Sequence, residues 1–294
     1  MAMPMRPLIV GTDGSDQALR AVDWATDEAS ARGLPLRIVH ASKWSRYDSP
    51  APSLTRKRPA GGTVEAEHVV ASAAERARAR APRVEVTTEV SPEGAARALV
   101  EESDGAAAVV VGSRGLGSVA GTLLGSVSLA VAARARCPVV VVRGELPGEP
   151  RSQGRIVVGL GKPGASPAVP QFAFEEAEVH GGSVDVVHAW MLPHAAGRAP
   201  GTEAAPEWEE RQKQALAGLS DAVAPAAADH PDVPHEELAV EGPPKHILNE
   251  AAHGARLLVV GAPARTGVAG LPLGPVTHAA LHYAPCPVAV VPSV

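Results

Sequence analysis

Two groups of residues in this chain have types and spacing suited to holding an anion. The first is Asp13, in the stretch VGTDGS that follows an apolar run at Pro7–Gly11, with Thr12 beside it. The second reads G-x2-G-x9-G-S at Gly112, Gly115, Gly125 and Ser126, directly after the apolar run Ala107–Val111. Gly112 allows a sharp turn, and Gly115 lets backbone amides approach a phosphate with no Cβ in the way. Gly125 and Ser126 fall where the next helix is expected to begin. Free amides and the positive end of the helix dipole favour an anion there, and the hydroxyls of Ser126 and Ser128 add donors. Asp13 can accept from an amino group or a sugar hydroxyl, help hold Mg2+, or simply cap the helix expected from Ser15–Asp16.

Competing motifs fall away. Gly115-Leu-Gly117-Ser-Val-Ala120 fits the dinucleotide fingerprint in spacing, but it follows the fourth expected strand, and no Asp or Glu stands near position 140. Gly161-Lys162 is followed by Pro163, so there is no P-loop. Neither Ser15 nor Ser126 has a G-x-S-x-G setting, and no catalytic residue is assigned. His278 and His282 are four apart on an expected helix but lack cysteine or carboxylate partners at metal-binding spacing, so no metal site is assigned. Cys137 and Cys286 each precede a proline and read as one structural cysteine in two copies. Thr55–Arg58 reads as a solvated basic run, and Trp24 as core.

The elements that must position these residues come in two sets. Shifting Val111–Ser128 by 149 places it on Val260–Thr277, with eight of eighteen positions identical. The same shift lays CPVVVV (Cys137–Val142) on CPVAVV (Cys286–Val291). A repeat this long is a duplicated domain. Domains are expected at 1–145 and 154–294, joined by the Gly/Pro-rich stretch Gly144–Gly154.

Within the first copy, strands are expected at Pro7–Gly11, Leu36–Ala41, Val84–Val90, Ala107–Val111 and Val139–Val142. Helices are expected at Asp16–Arg32, Val64–Arg80, Glu93–Ser103 and from Gly125, with a polar loop at Ser42–Gly62. The second copy has strands at Ile156–Leu160, Val184–Ala189, Glu236–Val240, Leu257–Gly261 and Val288–Val291, and a loop at Ala199–Pro206. This alternation, with fully apolar strands, implies an α/β fold: an open parallel sheet covered on both faces. Ligands of such sheets lie beyond the carboxyl ends of the strands, where the strand order reverses.

Composition narrows the class of function. The 294 residues have 45% hydrophobic and 20% charged side chains, a globular profile, and only 3% aromatics, so the core must be Val, Ala and Leu. No apolar run reaches membrane-span length and no leader pattern opens the chain, which with two cysteines suggests a cytoplasmic protein. Residues 1–150 hold 18 Lys+Arg against 17 Asp+Glu; residues 151–294 hold 9 against 15. Nucleic acid is a poor ligand for such a chain, and a small anion would favour the first half.

With Asp13 and the glycine–serine constellation in view, the sequence resembles a tandem universal stress protein over nearly its whole length. VGTDGS, IVHAS (Ile38–Ser42), VVVGSRGLGSVAGTLLGSVS (Val109–Ser128) and CPVVVV carry the resemblance. It implies five-stranded parallel sheets, two domains related by an intramolecular pseudo-twofold axis, and bound ATP, with or without Mg2+. The residues implied around the nucleotide are Thr12, Asp13, Ala41, Gly112, Arg114, Gly115, Gly125, Ser126, Val127 and Ser128. The second copy departs from the pattern: Gly161 stands for Asp13, Pro263 for Arg114, Ala264 for Gly115 and Pro275 for Ser126. It is expected to keep the fold and to bind the nucleotide poorly or not at all. The resemblance suggests a nucleotide-dependent stress-response binding protein with a protein partner that the sequence does not name. A slow ATPase or nucleotidyl-transfer enzyme, a nucleotide-independent scaffold and a further homodimer all stay open.

Overall fold

The computed structural model describes residues 5–42, 61–115, 124–144, 154–161, 166–191, 205–262 and 273–293. The basic run Thr55–Arg58, most of the Gly144–Gly154 linker and most of the false dinucleotide fingerprint lie outside the described residues. The chain divides into two compact units, Met1–Arg143 and Gly144–Val294.

The first unit runs β1 (Leu8–Gly11), α1 (Asp16–Arg32), β2 (Leu36–Ala41), α2 (Gly61–Arg80), β3 (Val86–Ser91), α3 (Ala95–Glu102), β4 (Ala108–Gly112), α4 (Ser126–Arg134) and β5 (Val139–Val142). Its strands lie parallel in the order β3-β2-β1-β4-β5. The chain steps outward from β1 to β3 and then returns to the other side of β1, so the order reverses between β1 and β4. Leu8 pairs with Leu36 on one side and Ala108 on the other, which brings both strand ends out together.

The inner strands form where the sequence is apolar and mostly β-branched: every residue of β4 and β5 is buried, whereas the edge strand β3 (VTTEVS) is largely exposed. α1 and α2 pack on each other, as do α3 and α4, and these pairs cover the sheet. The boundaries of α1 follow from its caps. Ser15 Oγ accepts from the Ala18 amide at 3.3 Å, and Gly33 ends the helix at φ 64°, where its missing Cβ removes the strain. Ala18, Ala21, Val22, Ala25 and Ala29 make the buried stripe, with Trp24 buried beside it. On the outside of α1, Asp23 and Asp27 each take a two-pronged bond from Arg76 and Arg80 of α2. Such exposed pairs fix register more than they stabilise, at about 0–1 kcal/mol each.

The second unit repeats the plan: β6 (Ile156–Gly159), α5 (Ala168–Val179), β7 (Val184–Trp190), α6 (Ala205–Asp229), β8 (His235–Glu241), α7 (Pro244–Ala251), β9 (Leu257–Gly261), α8 (Pro275–Tyr283) and β10 (Val288–Val291), with strand order β8-β7-β6-β9-β10. Differences from the sequence expectations are local. α2 begins at Gly61 rather than after Gly62, β3 starts at Val86 rather than Val84, and α6 takes up Ala205 and Pro206 from the end of the expected loop. A proline is tolerated in the first turn of a helix, where its missing N–H bonds nothing. Among the described residues no helix is long and apolar enough to cross a membrane.

Candidate functional site

The reversal point of the first unit is where its polar residues gather. Beyond β1 the Thr12 amide still donates to Val39 O of β2 at 2.9 Å, and Thr12 Oγ1 accepts from the Gly14 amide at 3.2 Å. Asp13 Oδ1 accepts from the Ser15 amide at 3.1 Å. The helix cap is therefore Ser15, and Asp13 braces the loop ahead of it, half-buried at the mouth of the sheet. His40, next to Ala41 at the end of β2, bonds Thr12 O through Nδ1 at 2.8 Å. A carbonyl oxygen can only accept, so Nδ1 carries the proton and the neutral ring presents Nε2 as an acceptor.

Beyond β4, the Ser113 amide donates to Val142 O at 3.0 Å and the Gly125 amide donates back to Ser113 O at 2.8 Å. This pair of bonds returns the chain to the strand end and starts α4 there. Gly125 is the N-cap of α4, extended at φ −77°, and it has no side chain to cap the first-turn amides. Those amides, of Ser126, Val127 and Ser128, face the strand ends at the positive end of the helix dipole. Ser126 is exposed and Arg114 is exposed.

One sequence expectation needs correction. The Ser128 hydroxyl is not offered to a ligand: it is buried and donates to Gly112 O at 2.7 Å, tying α4 to β4. Thr277 does the same to Gly261 O at 2.9 Å in the second unit, so the tie belongs to the fold. None of the constellation's glycines has a positive φ. A Cβ on Gly112 would stand 2.8 Å from Gln17 O, so this glycine lets the end of β4 abut the first turn of α1. A Cβ on Gly115 would overlap the Asp13 carboxylate.

All ten residues singled out from the sequence line one cavity of about 210 Å3. Its remaining wall, which sequence reasoning missed, includes Val39, Ala95 and Leu99. A second cavity of about 930 Å3 shares Asp13, Ala41, Ala95 and Val127 with the first, and is lined further out by His40, Glu65, Glu93, Arg97 and Arg134. The α3 residues arrive only because that helix folds back across the strand ends. His40 alone had a local signal, its place beside Ala41 at a strand terminus.

The second unit keeps the frame of this site without its polar lining. His188 Nδ1 bonds Leu160 O at 3.0 Å, as His40 bonds Thr12 O. Gly274 again caps the last helix with no side chain, but Pro275 follows, which has no N–H to offer. Among the described residues, nothing fills the space a Cβ would take on Gly161. After Ala189, β7 ends in the buried Trp190, whose Nε1 donates to Gln212 Oε1 at 2.9 Å, where β2 is followed by Ser42. Pro263 and Ala264 lie outside the described residues.

A doubly wound α/β unit with a glycine-lined cavity at its reversal point, followed by a second unit of the same strand order, defines the class of protein. The family model "Universal stress protein family" matches residues 5–143 and again 153–292. The chain belongs to the universal stress protein family. It is 31% identical over 291 residues to a universal stress protein of Mycolicibacterium smegmatis, covering 97% of this chain and 96% of that one. A universal stress protein of Mycobacterium tuberculosis is 32% identical over 292 residues, 96% of this chain and 95% of its own. Among solved structures, a universal stress protein from Archaeoglobus fulgidus DSM 4304 superposes with a TM-score of 0.68 at 14% identity, covering 99% of this chain and 100% of that one, a likeness of fold.

Proposed function

We propose that the first unit binds an adenine nucleotide, ATP by preference, and that the protein acts as a nucleotide-responsive binding protein in the cytoplasm. The observation that carries this reading is the convergence of all ten residues, from the ends of β1, β2 and β4 and the start of α4, on one cavity. The uncapped amides of α4, with Gly115 and Arg114, suit the phosphates. Thr12, Asp13 and Ala41, at the ends of β1 and β2, would face the ribose and base. The inner cavity is small for a whole nucleotide, and the shared wall at Asp13, Ala41 and Val127 lets one ligand extend into the larger cavity. Among the described residues Asp13 is the one carboxylate of the inner cavity, and a Mg2+ brought with the phosphates would take its other ligands from phosphate and water.

Nucleotide binding then orders the chain around β1 and α4 and biases which surface is shown to a protein partner. Titration of the full chain with labelled ATP tests this, together with mass spectrometry of nucleotide released from the purified protein. The expected stoichiometry is one per chain, lost in Asp13→Ala. Unchanged stoichiometry in that variant would place the nucleotide elsewhere. Steady ADP release well above a Gly115→Ala control would turn the reading toward an enzyme.

A further inference from the structure

The tie between His40 and Thr12 uses only half of the imidazole. Nδ1 donates to Thr12 O at 2.8 Å, and His188 makes the same bond to Leu160 O at 3.0 Å in the second unit, so this nitrogen serves the fold. The bond fixes the neutral ring as the Nδ1–H tautomer, which leaves Nε2 an acceptor without a proton of its own. Among the described residues Nε2 has no hydrogen-bond partner. Nor is it one of their buried unpartnered atoms, so it is reachable from solvent. His40 is half-buried and lines the larger cavity of the first unit, of about 930 Å3.

Thr12, whose carbonyl holds the ring, is followed at once by Asp13, which lines both cavities. The ends of β1 and β2 therefore bring two acceptors, a carboxylate and an imidazole nitrogen, to the wall of one cavity. Glu65 and Glu93 are further acceptors on that wall, and the guanidinium of Arg97 is already held by Glu101 at 2.8 Å. A ligand bearing several donors suits such a wall. His188 lacks this setting: Gly161 stands where Asp13 does, and Trp190 stands where Ser42 does. The pairing of acceptors is particular to the unit that keeps the glycine–serine site.

An adenine nucleotide carries donors in two places, the vicinal hydroxyls of its ribose and the amino group of its base, at opposite ends of the nucleoside. Acceptors on neighbouring strand ends match the neighbouring donors, the hydroxyl pair. Resting on the reading that the first unit binds an adenine nucleotide, we propose that His40 is a specificity-determining residue of that site. Its Nε2 accepts from one ribose hydroxyl while Asp13 accepts from the other, so the site selects ribonucleotides over deoxyribonucleotides.

The substitution that isolates the acceptor is His40→Asn. An asparagine amide reaches the place of Nδ1 and donates to Thr12 O, but nothing then stands at the place of Nε2. His188→Asn makes the same change in the second unit and serves as the control. The full chain and both variants are titrated with ATP, 2′-deoxy-ATP and 3′-deoxy-ATP. Wild type should bind ATP about 3- to 10-fold more tightly than the deoxynucleotide that lacks the hydroxyl facing His40, the effect of one hydrogen bond. His40→Asn should lose that factor for ATP and bind that deoxynucleotide as wild type does. His188→Asn should bind all three as wild type does. Should His40→Asn disturb the fold, 15N NMR of wild type still answers: the His40 Nε2 resonance should move upfield on adding ATP and stay in place with that deoxynucleotide.

Equal loss of affinity for all three nucleotides in His40→Asn would make the residue structural and overturn the proposal. So would unchanged ATP affinity in that variant, a wild type that binds all three alike, or an Nε2 resonance indifferent to ATP. No saturable binding of ATP by wild type would overturn the nucleotide reading itself, and the proposal with it.

Discussion

Gly115 lies so close over Asp13 that a single added carbon on the glycine would overlap the carboxylate. The repeat replaces both partners at once: Gly161 stands for Asp13 and Ala264 for Gly115. Where no carboxylate remains, a Cβ is allowed. The glycine is thus matched to the aspartate as much as to a phosphate. Gly115→Ala should cost about 1–3 kcal/mol of stability through overpacking, and the same change made on Asp13→Gly should cost nearly nothing. Chemical denaturation of the four proteins of this cycle measures the coupling. Equal costs in the two backgrounds would mean that the carboxylate moves aside freely.

Ser126 and Ser128 are two residues apart and should behave oppositely. Ser128 is buried and bonded to Gly112 O at 2.7 Å, so Ser128→Ala should lower stability by about 1–2 kcal/mol and alter ATP affinity little. Ser126 is exposed at the first position of α4 and its side chain bonds nothing among the described residues, so Ser126→Ala should leave stability within about 0.5 kcal/mol. Under the proposed function the same change weakens ATP binding several-fold. Thermal melts paired with ATP titration separate the two, and reversed behaviour would mean that their roles are exchanged.

The contrast between these serines also shows where sequence reading stops. β4, β5, β9 and β10 are legible because their residues are apolar on both faces, and α1 because Ser15 and Gly33 mark its ends. Asp13, Gly112, Gly115, Gly125 and Ser126 are legible because their chemistry is local: a short acid, missing Cβ atoms, a helix start. Ser128 was misjudged because a hydroxyl in a sequence does not name its acceptor, here sixteen residues back. The role of Gly112 depends on α1 arriving within contact of β4. Leu99 roofs Gly11, with Cδ1 2.7 Å from the place of a Cβ, and it belongs to the site only after α3 has folded across β1. Such residues have ordinary core types, and nothing in their spacing sets them apart.

His40 and His188 should share one tautomer. Each ring bonds a main-chain carbonyl through Nδ1, at 2.8 Å to Thr12 O and 3.0 Å to Leu160 O, and so each holds its proton on Nδ1 when neutral. Free histidine prefers the other tautomer, so long-range 15N–1H NMR spectra at pH 8 should show two rings with an acceptor-type Nε2. Replacing His40 with Gln should loosen the tie between β1 and β2 and move the amide signal of Asp13. A protonated Nε2 in the neutral ring would mean that Thr12 O is not the acceptor.

Cys137 should be chemically silent. Its thiol is buried at the entrance to β5, and burial pushes it up to about 12, so no thiolate forms near neutrality. Alkylation by iodoacetamide at pH 8 should be blocked in the folded protein at Cys137 and proceed on unfolding. Cys286, buried at the matching place before β10, should follow it. The linkage has a definite sign. A thiol whose folded value lies above its unfolded one keeps its proton longer in the native state. Its stabilising effect is complete below the unfolded value and is lost as pH rises toward about 12. Denaturation of wild type and Cys137→Ala between pH 8 and 11 checks this: the wild type should lose stability faster with rising pH. Parallel slopes, or rapid alkylation of the folded chain, would show that the thiol reaches solvent.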